Sequence, residues 1–306
     1  MSVNNKIAEL LDASCGKIAY NEPMSQHTSL KVGGNADALV LIESEDQLAR
    51  IIRKLKEARI DYMPVGNLTN IIVRDGGYRG AILLMSGLNK TDYIQTPDGG
   101  QFISAQAGAR LSSLIGLAVF HELTGLEFCA GIPGSIGGAV RMNAGAYGKE
   151  IKDVVTEVTL LDFYGQKKTL LRDEIQFNYR RTILPEDAII LEARFKLEKG
   201  EREQIGKRIK EIIQMRQEKH PLSYPNAGSI FKNIPQMPAG RIIEESGLKG
   251  ESCNDAEVSI KHANFIVNKG KASASDVLRL IDLIVDRVKK EKGIELETEV
   301  IVIGEN

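Results

Sequence analysis

A glycine-rich segment running from Gly131 to Gly148 contains the densest set of residues suited to binding a ligand. Glycine lets the backbone approach a bound group closely, and loops of this kind can present N–H groups to phosphates. The segment matches neither the Rossmann fingerprint nor the Walker A pattern of nucleotide-binding loops. From composition alone it is either a phosphate-contacting loop or a tortuous connection between two domains.

A short polar turn, Gly66–Asn70, follows the predicted strand Met63–Val65. A tight turn at the end of a strand can cradle a pyrophosphate. The turn contains no basic residue, so a phosphate bound there would depend on backbone donors alone. The same five residues would equally suit an ordinary turn.

Arg180 is a candidate for binding a carboxylate, because a guanidinium can form two parallel hydrogen bonds to one carboxylate group. It lies in the sequence Tyr179-Arg180-Arg181-Thr182, ahead of the predicted strand Ile189–Leu197. The alternative is an arginine in a surface ion pair.

The segment Asn226–Asn233 reads N-A-G-S-I-F-K-N and lies within a predicted loop, Pro221–Pro238, that is dense in Pro, Asn, Gly and Ser. Loops on rigid scaffolds often carry function. Ser229 could donate a proton, Lys232 could bind a phosphate, and Asn233 could form a hydrogen bond to a substrate. The alternative is a capped turn with a structural role.

Glu299 lies in a predicted terminal strand, Ile294–Ile303. The alternation of side chains along a strand places it on the same face as Ile301 and Ile303. We therefore expect this face to become buried toward the C-terminus. A carboxylate at such a border between polar and apolar residues could be held in a site.

The elements that must position these residues alternate irregularly between strands and helices. Ser44 and Gln47 have the spacing of a capping box, followed by apolar residues at helical spacing. The other expected elements are strands at Leu39–Ile42, Ile71–Val73, Ala81–Met85 and Val154–Phe163, a hairpin of Tyr93–Gln95 with Phe102–Ala107, and helices at Leu111–Val119, Glu201–Glu218 and Ser275–Lys290. This mixture predicts an α+β fold rather than a doubly wound sheet.

The composition is that of an ordinary globular protein, with 306 residues, 42% of them hydrophobic and 26% charged. At ~150 residues per domain, this length predicts about two domains. Because 40 Lys+Arg balance 41 Asp+Glu, the sequence provides no basic field for nucleic acid. No apolar stretch approaches the ~20 residues that would cross a bilayer.

The N-terminal residues lack the apolar region of a secretory signal. The three cysteines are widely separated, so they form neither a disulfide framework nor a redox pair. The four histidines lack the H-E-x-x-H spacing of a zinc site. We therefore expect a reduced, cytoplasmic protein with no metal site, and with no nucleic acid or membrane among its partners.

Taken in order, these segments resemble the UDP-N-acetylenolpyruvoylglucosamine reductase family, also called UDP-N-acetylmuramate dehydrogenases, over nearly the whole chain. The strings G-I-P-G-S-I-G-G-A and N-A-G-S-I-F-K-N are specific, and Thr28–Gly34, Val65–Val73 and Leu296–Gly304 join them in the same order. The resemblance implies a bacterial cytoplasmic flavoenzyme of peptidoglycan precursor synthesis, and hence a part in cell wall biogenesis, cell shape and cell division.

The resemblance also implies an α+β fold with a two-part FAD-binding domain of the vanillyl-alcohol-oxidase type and a smaller α+β substrate-binding domain. The FAD-binding domain would take residues 1–200, as two α+β subdomains of about 1–88 and 89–200. The substrate-binding domain would take residues 201–306, with a C-terminal strand that returns to the active site.

On this resemblance the chain is an oxidoreductase acting on a CH–OH group with NADP+ as acceptor, which holds FAD non-covalently and uses NADPH as co-substrate. It would reduce the enolpyruvyl group of UDP-N-acetylglucosamine enolpyruvate to give UDP-N-acetylmuramate. Arg180 matches the family's active-site arginine, Ser229 its proton donor and Glu299 its active-site glutamate, whereas Lys232 and Asn233 fall in its substrate-contacting motif. The residues that match its FAD-binding segments are Gly66, Asn67, Leu68, Thr69, Asn70, Gly131, Gly134, Ser135, Gly137 and Gly138.

The sequence departs from the family pattern at a few positions. Leu68 and Thr69 replace a glycine and a serine, Arg141 replaces an aromatic residue, and Ile234 replaces a proline. We expect Leu68 to adopt a negative φ, because a bulky residue at positive φ costs about 1 kcal/mol or more. The segment between the arginine and serine motifs is predicted to be strand and helix, which indicates the branch that lacks an inserted tyrosine loop.

Two other functions are compatible with parts of the sequence. Another flavin oxidoreductase of the same fold, acting on a different small alcohol or acid, would use the same FAD loops but would have no need of the Ser229 motif. A flavin-binding or nucleotide-sugar-binding regulator would bind a ligand without turnover.

Overall fold

The structure, a computed structural model, describes residues 3–11, 15–235 and 237–306. The part of the predicted loop Pro221–Pro238 at Gln236 lies outside the described residues. The helices are α1 (Val3–Leu10), α2 (Glu45–Glu57), α3 (Leu111–Phe120), α4 (Ile136–Arg141), α5 (Arg202–Lys219), α6 (Ala239–Glu245) and α7 (Ala274–Lys292). No helix in this described part of the chain has the length and apolar character needed to cross a membrane.

The strands are short, and most of them pair with a neighbour in antiparallel fashion. They are β1 (Ile18–Pro23), β2 (Asn35–Leu41), β3 (Tyr62–Val65), β4 (Ile71–Val73), β5 (Tyr78–Leu84), β6 (Thr91–Gln95), β7 (Gln101–Gln106), β8 (Leu123–Thr124), β9 (Gly145–Ala146), β10 (Lys149–Glu150), β11 (Val155–Leu161), β12 (Lys167–Leu171), β13 (Gln176–Asn178), β14 (Arg181–Ile183), β15 (Ile189–Lys199), β16 (Ser252–Cys253), β17 (Ala256–Val258), β18 (Ile266–Asn268) and β19 (Ile301–Ile303). One sheet has the order β1-β2-β5-β3, with β3 and β5 parallel.

The capping box predicted before α2 is confirmed. The Ser44 side chain accepts a hydrogen bond from the main-chain N–H of Gln47 at 3.2 Å, and Gln47 Oε1 accepts one from Ser44 N–H at 3.3 Å. The helix buries the apolar residues that the spacing placed on one face, Leu48, Ile51, Ile52 and Leu55. Each such burial is worth about 1.5–3 kcal/mol, which makes this face the main source of the helix's stability.

The chain divides into two compact units. The first consists of Met1–Ala19, Leu39–Asn67 and Ala81–Arg216, and the second of Tyr20–Ala38, Leu68–Gly80 and Gln217–Asn306.

The first unit is built on an antiparallel sheet of order β12-β11-β15-β7-β6, in which β8 also pairs with β15. Its core includes Ile103 of β7 and Phe195 of β15, packed with Leu114 of α3. The hairpin predicted between Tyr93–Gln95 and Phe102–Ala107 is confirmed as β6 and β7.

The second unit contains the three-stranded sheet β16-β17-β18, the parallel pair β4 and β19, and helices α6 and α7. The buried face of α7 packs into this unit's own core and consists of Val277, Leu280, Ile281, Ile284 and Val288. The helix begins at a capping box between Ser273 and Asp276 and ends at Gly293, whose φ of 68° is the left-handed conformation that glycine adopts at helix ends.

The C-terminal strand is shorter than predicted. Only Ile301–Ile303 forms a strand, which pairs with Ile71–Val73, because the residues before it pair with a loop instead of a sheet. Lys232 N–H donates to Glu297 O at 2.8 Å, and Phe231 bridges Thr298. The expected burial of the Glu299 face toward the C-terminus is also wrong, since Ile301 is 37% exposed.

Candidate active site

The glycine-rich segment is anchored to the end of β7 in the first unit. Gly137 N–H donates to Ala107 O at 2.8 Å, and Ile136 N–H donates to Ala109 O at 2.9 Å. A short helix, α4, lies inside this segment, where the sequence showed no period. Ser135 caps it by accepting a hydrogen bond from Gly138 N–H at 3.3 Å.

Gly66 packs directly against Ser135. A Cβ atom on Gly66 would lie 2.0 Å from Ser135 Oγ and 2.9 Å from its Cβ, so only glycine fits at this position. The contact brings the start of the Gly66–Asn70 turn to the glycine-rich segment, as expected if both serve one ligand. In the next residue, Asn67 Oδ1 is buried and accepts no hydrogen bond within the described residues. A buried acceptor of this kind calls for a donor, which a bound ligand can supply.

The expectation of a negative φ at Leu68 is wrong. The residue has φ 49°, its side chain is 3% exposed, and its carbonyl oxygen accepts a hydrogen bond from Ser29 N–H at 3.2 Å. Burial of a leucine side chain contributes about 1.5–3 kcal/mol, whereas the left-handed conformation costs about 1–2 kcal/mol. The buried side chain therefore offsets the strain, and the turn keeps a backbone that glycine would adopt freely.

The rest of this turn is tied into the second unit. Ser29 Oγ donates to Asn226 O at 2.7 Å and approaches Thr69 O at 3.4 Å. Ser29 thus connects the turn to the start of the N-A-G-S-I-F-K-N segment. Asn70 Nδ2 donates to the main-chain oxygen of Glu299 at 3.0 Å, so this side-chain amide holds the segment that carries Glu299.

Arg180 lies at the tip of a hairpin in the first unit, between β13 and β14. Its φ of 54° is unusual for a residue other than glycine, and backbone strain of this kind clusters at functional sites. Its Nη2 donates to Gly145 O at 3.0 Å, and its guanidinium carbon lies 4.9 Å from the centre of the Tyr179 ring. These contacts fix the direction of the charged group.

Two further bonds hold this hairpin in place. Asn143, which is fully buried, donates through Nδ2 to Asn178 O at 3.1 Å. Thr182 Oγ1 donates to Val140 O at 2.5 Å. The glycine-rich segment, from which Asn143 and Val140 come, therefore also positions the candidate arginine.

Ser229 and Glu299 are brought together in the second unit. Ile230 follows Ser229, and its carbonyl oxygen accepts a hydrogen bond from Glu299 N–H at 2.7 Å. Both Ser229 and Glu299 are half-buried, whereas Ile230 and Phe231 are buried. The apolar side chains anchor the backbone, and the two polar residues lie at the edge of that core.

Lys232 and Asn233, the predicted substrate contacts, both interact within the second unit. Lys232 forms an ion pair with Glu297, whose side chain is 73% exposed. Asn233 Oδ1 accepts a hydrogen bond from the N–H of Ala239 at 2.9 Å, at the start of α6. Asn233 thus has a structural contact of the kind weighed as the alternative for this segment, and its contact with a substrate stays a prediction.

Two of the departures from the family pattern have clear local partners. Arg141 is exposed, and its Nη2 donates to Ala188 O at 2.6 Å. Ile234 bridges Met237 and packs against the core of the second unit. Neither contact touches Arg180, Ser229 or Glu299.

Sequence reasoning missed three polar residues that hold the candidate residues: Ser29, Asn143 and Asn264. Ser29 and Asn143 lie in segments that were noticed for their glycines, but no spacing distinguished them. Asn264 lies in Lys261-His262-Ala263-Asn264-Phe265, which contains no signal for a site. In the part of the chain that the structure describes, no group of three His, Cys, Asp or Glu side chains could hold a metal ion.

Comparison with known proteins identifies both parts of the chain. Residues 36–170 match the family model of an FAD binding domain, and residues 220–303 match that of the UDP-N-acetylenolpyruvoylglucosamine reductase C-terminal domain. The UDP-N-acetylenolpyruvoylglucosamine reductase of Syntrophus aciditrophicus is 48% identical over 97% of this chain and 96% of its own. That of Caldanaerobacter subterraneus is 45% identical over 98% of each chain.

A solved structure extends the likeness to the fold. The UDP-N-acetylenolpyruvylglucosamine reductase of Thermus caldophilus superposes with a TM-score of 0.78 at 33% identity, covering 94% of this chain and 98% of that one. The expected fold class, an FAD-binding domain followed by a smaller α+β domain, is confirmed. The chain belongs to the UDP-N-acetylenolpyruvoylglucosamine reductase family.

Proposed function

We propose that this protein is the NADPH-dependent flavoenzyme that reduces the enolpyruvyl group of UDP-N-acetylglucosamine enolpyruvate to UDP-N-acetylmuramate, in peptidoglycan precursor synthesis. The observation that carries the proposal is the hydrogen bond from Glu299 N–H to Ile230 O, because it joins the main chain next to the candidate proton donor Ser229 to that of the candidate glutamate. Near full-length similarity to reductases of that name supports the same reaction here.

The first unit has the features needed to hold FAD. The contact between Gly66 and Ser135 leaves no room for a side chain at position 66. Asn67 Oδ1 is a buried acceptor without a hydrogen-bond donor among the described residues. FAD carries hydroxyl and amino donors as well as a pyrophosphate, so its chemistry fits this set. We assign cofactor contacts to the two segments predicted from the sequence, Gly66–Asn70 and Gly131–Gly138. Bound there, FAD would supply the hydride chemistry that links NADPH to the vinyl carbon of the substrate.

Arg180 stabilises the charge that develops on the substrate. Hydride addition to the vinyl carbon leaves negative charge on the adjacent carbon, conjugated to the carboxylate. A guanidinium that is already oriented by Gly145 and Tyr179 needs little reorganisation to stabilise this charge, which is the basis of electrostatic catalysis.

Ser229 completes the reaction by giving its hydroxyl proton to that adjacent carbon. Glu299 assists in one of two ways: in its protonated form it donates a hydrogen bond to the substrate carboxylate, whereas in its ionised form it must lie where the two carboxylates do not repel each other. Lys232 contacts the nucleotide sugar by exchanging its ion pair with Glu297 for a phosphate, and Asn233 supports the same motif.

The assignment of functions to the two parts of the chain keeps the division predicted from the sequence. We propose that residues 1–200 hold FAD, in subdomains of about 1–88 and 89–200, and that residues 201–306 bind the substrate. The matches of 36–170 and 220–303 to the two family models support this division. We also propose a cytoplasmic location, because the nucleotide-sugar substrate and NADPH are cytoplasmic metabolites.

The test is to mix purified protein with NADPH and the enolpyruvyl nucleotide sugar and to follow the nicotinamide absorbance. We expect substrate-dependent NADPH oxidation by a yellow protein that releases free FAD on denaturation. A different flavin oxidoreductase would consume NADPH or oxygen without using this substrate. A binding protein would bind ligand without turnover, and a colourless protein that cannot be reconstituted with FAD would overturn the proposal.

A further inference from the structure

We propose that Asn264 is the positioning residue for Ser229, a role that rests on the proposed function of Ser229 as proton donor. Asn264 is 3% exposed, and both ends of its side-chain amide bind one residue. Its Oδ1 accepts from Phe231 N–H at 2.9 Å, and its Nδ2 donates to Phe231 O at 2.8 Å. The amide thus clamps the main chain two residues beyond Ser229.

A third bond holds the residue next to Ser229. Ile230 N–H donates to the main-chain oxygen of Asn264 at 2.8 Å, while Ile230 O accepts from Glu299 N–H. A continuous series of hydrogen bonds therefore runs from Asn264 through Ile230 to Glu299. Displacement of Asn264 would disturb the backbone of both functional residues.

The turn that carries Asn264 is itself fixed. Asn264 N–H donates to Nδ1 of His262 at 3.2 Å, and His262 N–H donates to Ser259 Oγ at 3.3 Å. Burial lowers the pKa of His262 and so favours the neutral ring, which has one nitrogen free to accept this bond. The His262 ring also packs 4.9 Å from that of Phe265, measured between ring centres. The clamp is therefore attached to a rigid support.

Ser229 needs such a clamp for two reasons. A serine hydroxyl is a weak acid, so its advantage as a proton donor lies in its position. The preceding residue, Gly228, has φ 75°, and among the described residues no heavy atom outside its chain neighbours lies within 4 Å of where its Cβ would be, so its own N–H bond to Asn226 Oδ1, at 3.0 Å, is a purely local restraint. Misplacing a reacting group by 1 Å can cost about 100-fold in rate.

The experiment compares Asn264→Asp with Asn268→Asp. The first variant keeps the acceptor for Phe231 N–H but replaces the donor to Phe231 O with a second oxygen. Asn268 is also 3% exposed and donates to Leu30 O at 3.1 Å. Asn268→Asp therefore removes a buried hydrogen bond of the same kind elsewhere in the second unit. Stopped-flow absorbance measures flavin reduction by NADPH and flavin reoxidation by substrate separately, and hydrogen exchange measures protection of the amides at 230 and 231.

We expect Asn264→Asp to bind FAD and to reduce its flavin with NADPH within about twofold of the wild-type rate. Reoxidation of the flavin by substrate should be slower by at least about tenfold. The amide hydrogens of residues 230 and 231 should exchange faster than in wild type. Asn268→Asp should leave the ratio of the two rates unchanged. In the Ser229→Ala background, Asn264→Asp should slow reoxidation little further, because residues that act through one another are not additive.

Equal slowing of both half-reactions by Asn264→Asp, or the same selective effect from Asn268→Asp, would overturn the proposal. Should Asn264→Asp fail to fold, Asn264→Ser takes its place, and failure of both variants to fold would make Asn264 a structural residue only. A wild-type protein that does not turn over the substrate would instead reject the proposed function. Normal turnover with a selective defect in Ser229→Ala but none in Asn264→Asp would reject the positioning role alone.

Discussion

The side-chain amide of Asn70 donates a hydrogen bond of 3.0 Å to the main-chain oxygen of Glu299. Asn70 O also accepts from Ile301 N–H at 2.9 Å, so this one residue binds the terminal segment on both sides of Val300. The sequence predicts that the turn containing Asn70 contacts the cofactor through main-chain donors, and the side-chain amide of Asn70 also holds the segment that carries a candidate catalytic residue. The turn that begins at Gly66 thus continues into the support of Glu299.

Asn70→Asp should therefore impair substrate reduction while FAD remains bound. Aspartate cannot donate, and its oxygen would face the carbonyl of Glu299, so the terminal segment would shift. The measurements are FAD content and the rates of the two half-reactions, with Asn89→Asp as a control that removes a similar bond, to Ser86 O, at an exposed site. Loss of FAD from Asn70→Asp but not from Asn89→Asp would instead show that the side chain of Asn70 itself contacts the cofactor.

The difference in stability between Leu68→Gly and Leu68→Ala should report the backbone strain at this position. Both variants lose a buried leucine side chain, which costs about 2–5 kcal/mol. Only glycine also relieves the left-handed φ of 49°, so Leu68→Gly should be more stable than Leu68→Ala by about 1 kcal/mol. Urea unfolding measures both values. In a backbone with negative φ, alanine would be the more stable of the two.

The contrast at Leu68 marks the limit of what the sequence could predict. The capping box at Ser44, the hairpin of β6 and β7 and the helix α7 each depend on local spacing, and each was confirmed. Leu68 adopts a positive φ because the burial of its side chain by residues distant in sequence outweighs the local backbone preference of leucine. No local sequence pattern encodes such packing. The role of Asn264 was not predicted for the same reason, because its side chain contacts Phe231, 33 residues away in the sequence, only in the folded chain.

The N-terminal end of α7 should lose stability in acid. Burial alone would raise the pKa of Asp276, but hydrogen bonds from Ser273 and Asn254 outweigh it and lower the pKa below its ordinary value of 3.8. A carboxyl with a depressed pKa stabilises the fold above its unfolded pKa, and this contribution disappears as the pH falls through the folded value.

Thermal unfolding of wild type and Asp276→Asn across an acidic pH series tests this. The difference in midpoint should be largest near neutral pH and should shrink as the pH falls below about 4. Asp282→Asn removes an exposed carboxylate of the same helix and should give a small difference at every pH. A difference for Asp276→Asn that stays constant with pH would contradict the stabilising role of its charge.

Arg180→Lys should reduce substrate turnover well below wild type without releasing FAD. Lysine keeps the positive charge but lacks the planar fork that binds a carboxylate through two bonds and stacks on an aromatic ring. The bond to Gly145 O and the contact with Tyr179 would both change in geometry, because an ammonium has no plane to stack on the ring. Steady-state rates and FAD content are compared with those of Arg181→Lys, an exposed neighbour. Wild-type turnover by Arg180→Lys would leave Arg180 with a structural role.

Ser229→Ala should separate the two halves of the reaction. Reduction of FAD by NADPH requires no proton from Ser229, whereas protonation of the substrate carbon does. General acid catalysis by a positioned group contributes about 10²–10⁴-fold, or roughly 3–5 kcal/mol in the barrier at ~1.36 kcal/mol per tenfold change. Flavin should therefore bleach with NADPH at nearly the normal rate, while its reoxidation by the enolpyruvyl substrate slows by at least about 100-fold.

Stopped-flow absorbance resolves the two steps, and Ser223→Ala, at an exposed position in the same loop, provides the control. A serine that only shaped the loop would lower stability modestly and alter both rates alike. Because Ile230 is fixed between Asn264 and Glu299, removal of one hydroxyl should leave the backbone in place, so a selective loss in the second step reports on the proton itself. Equal slowing of both steps, or of neither, would reject Ser229 as the proton donor.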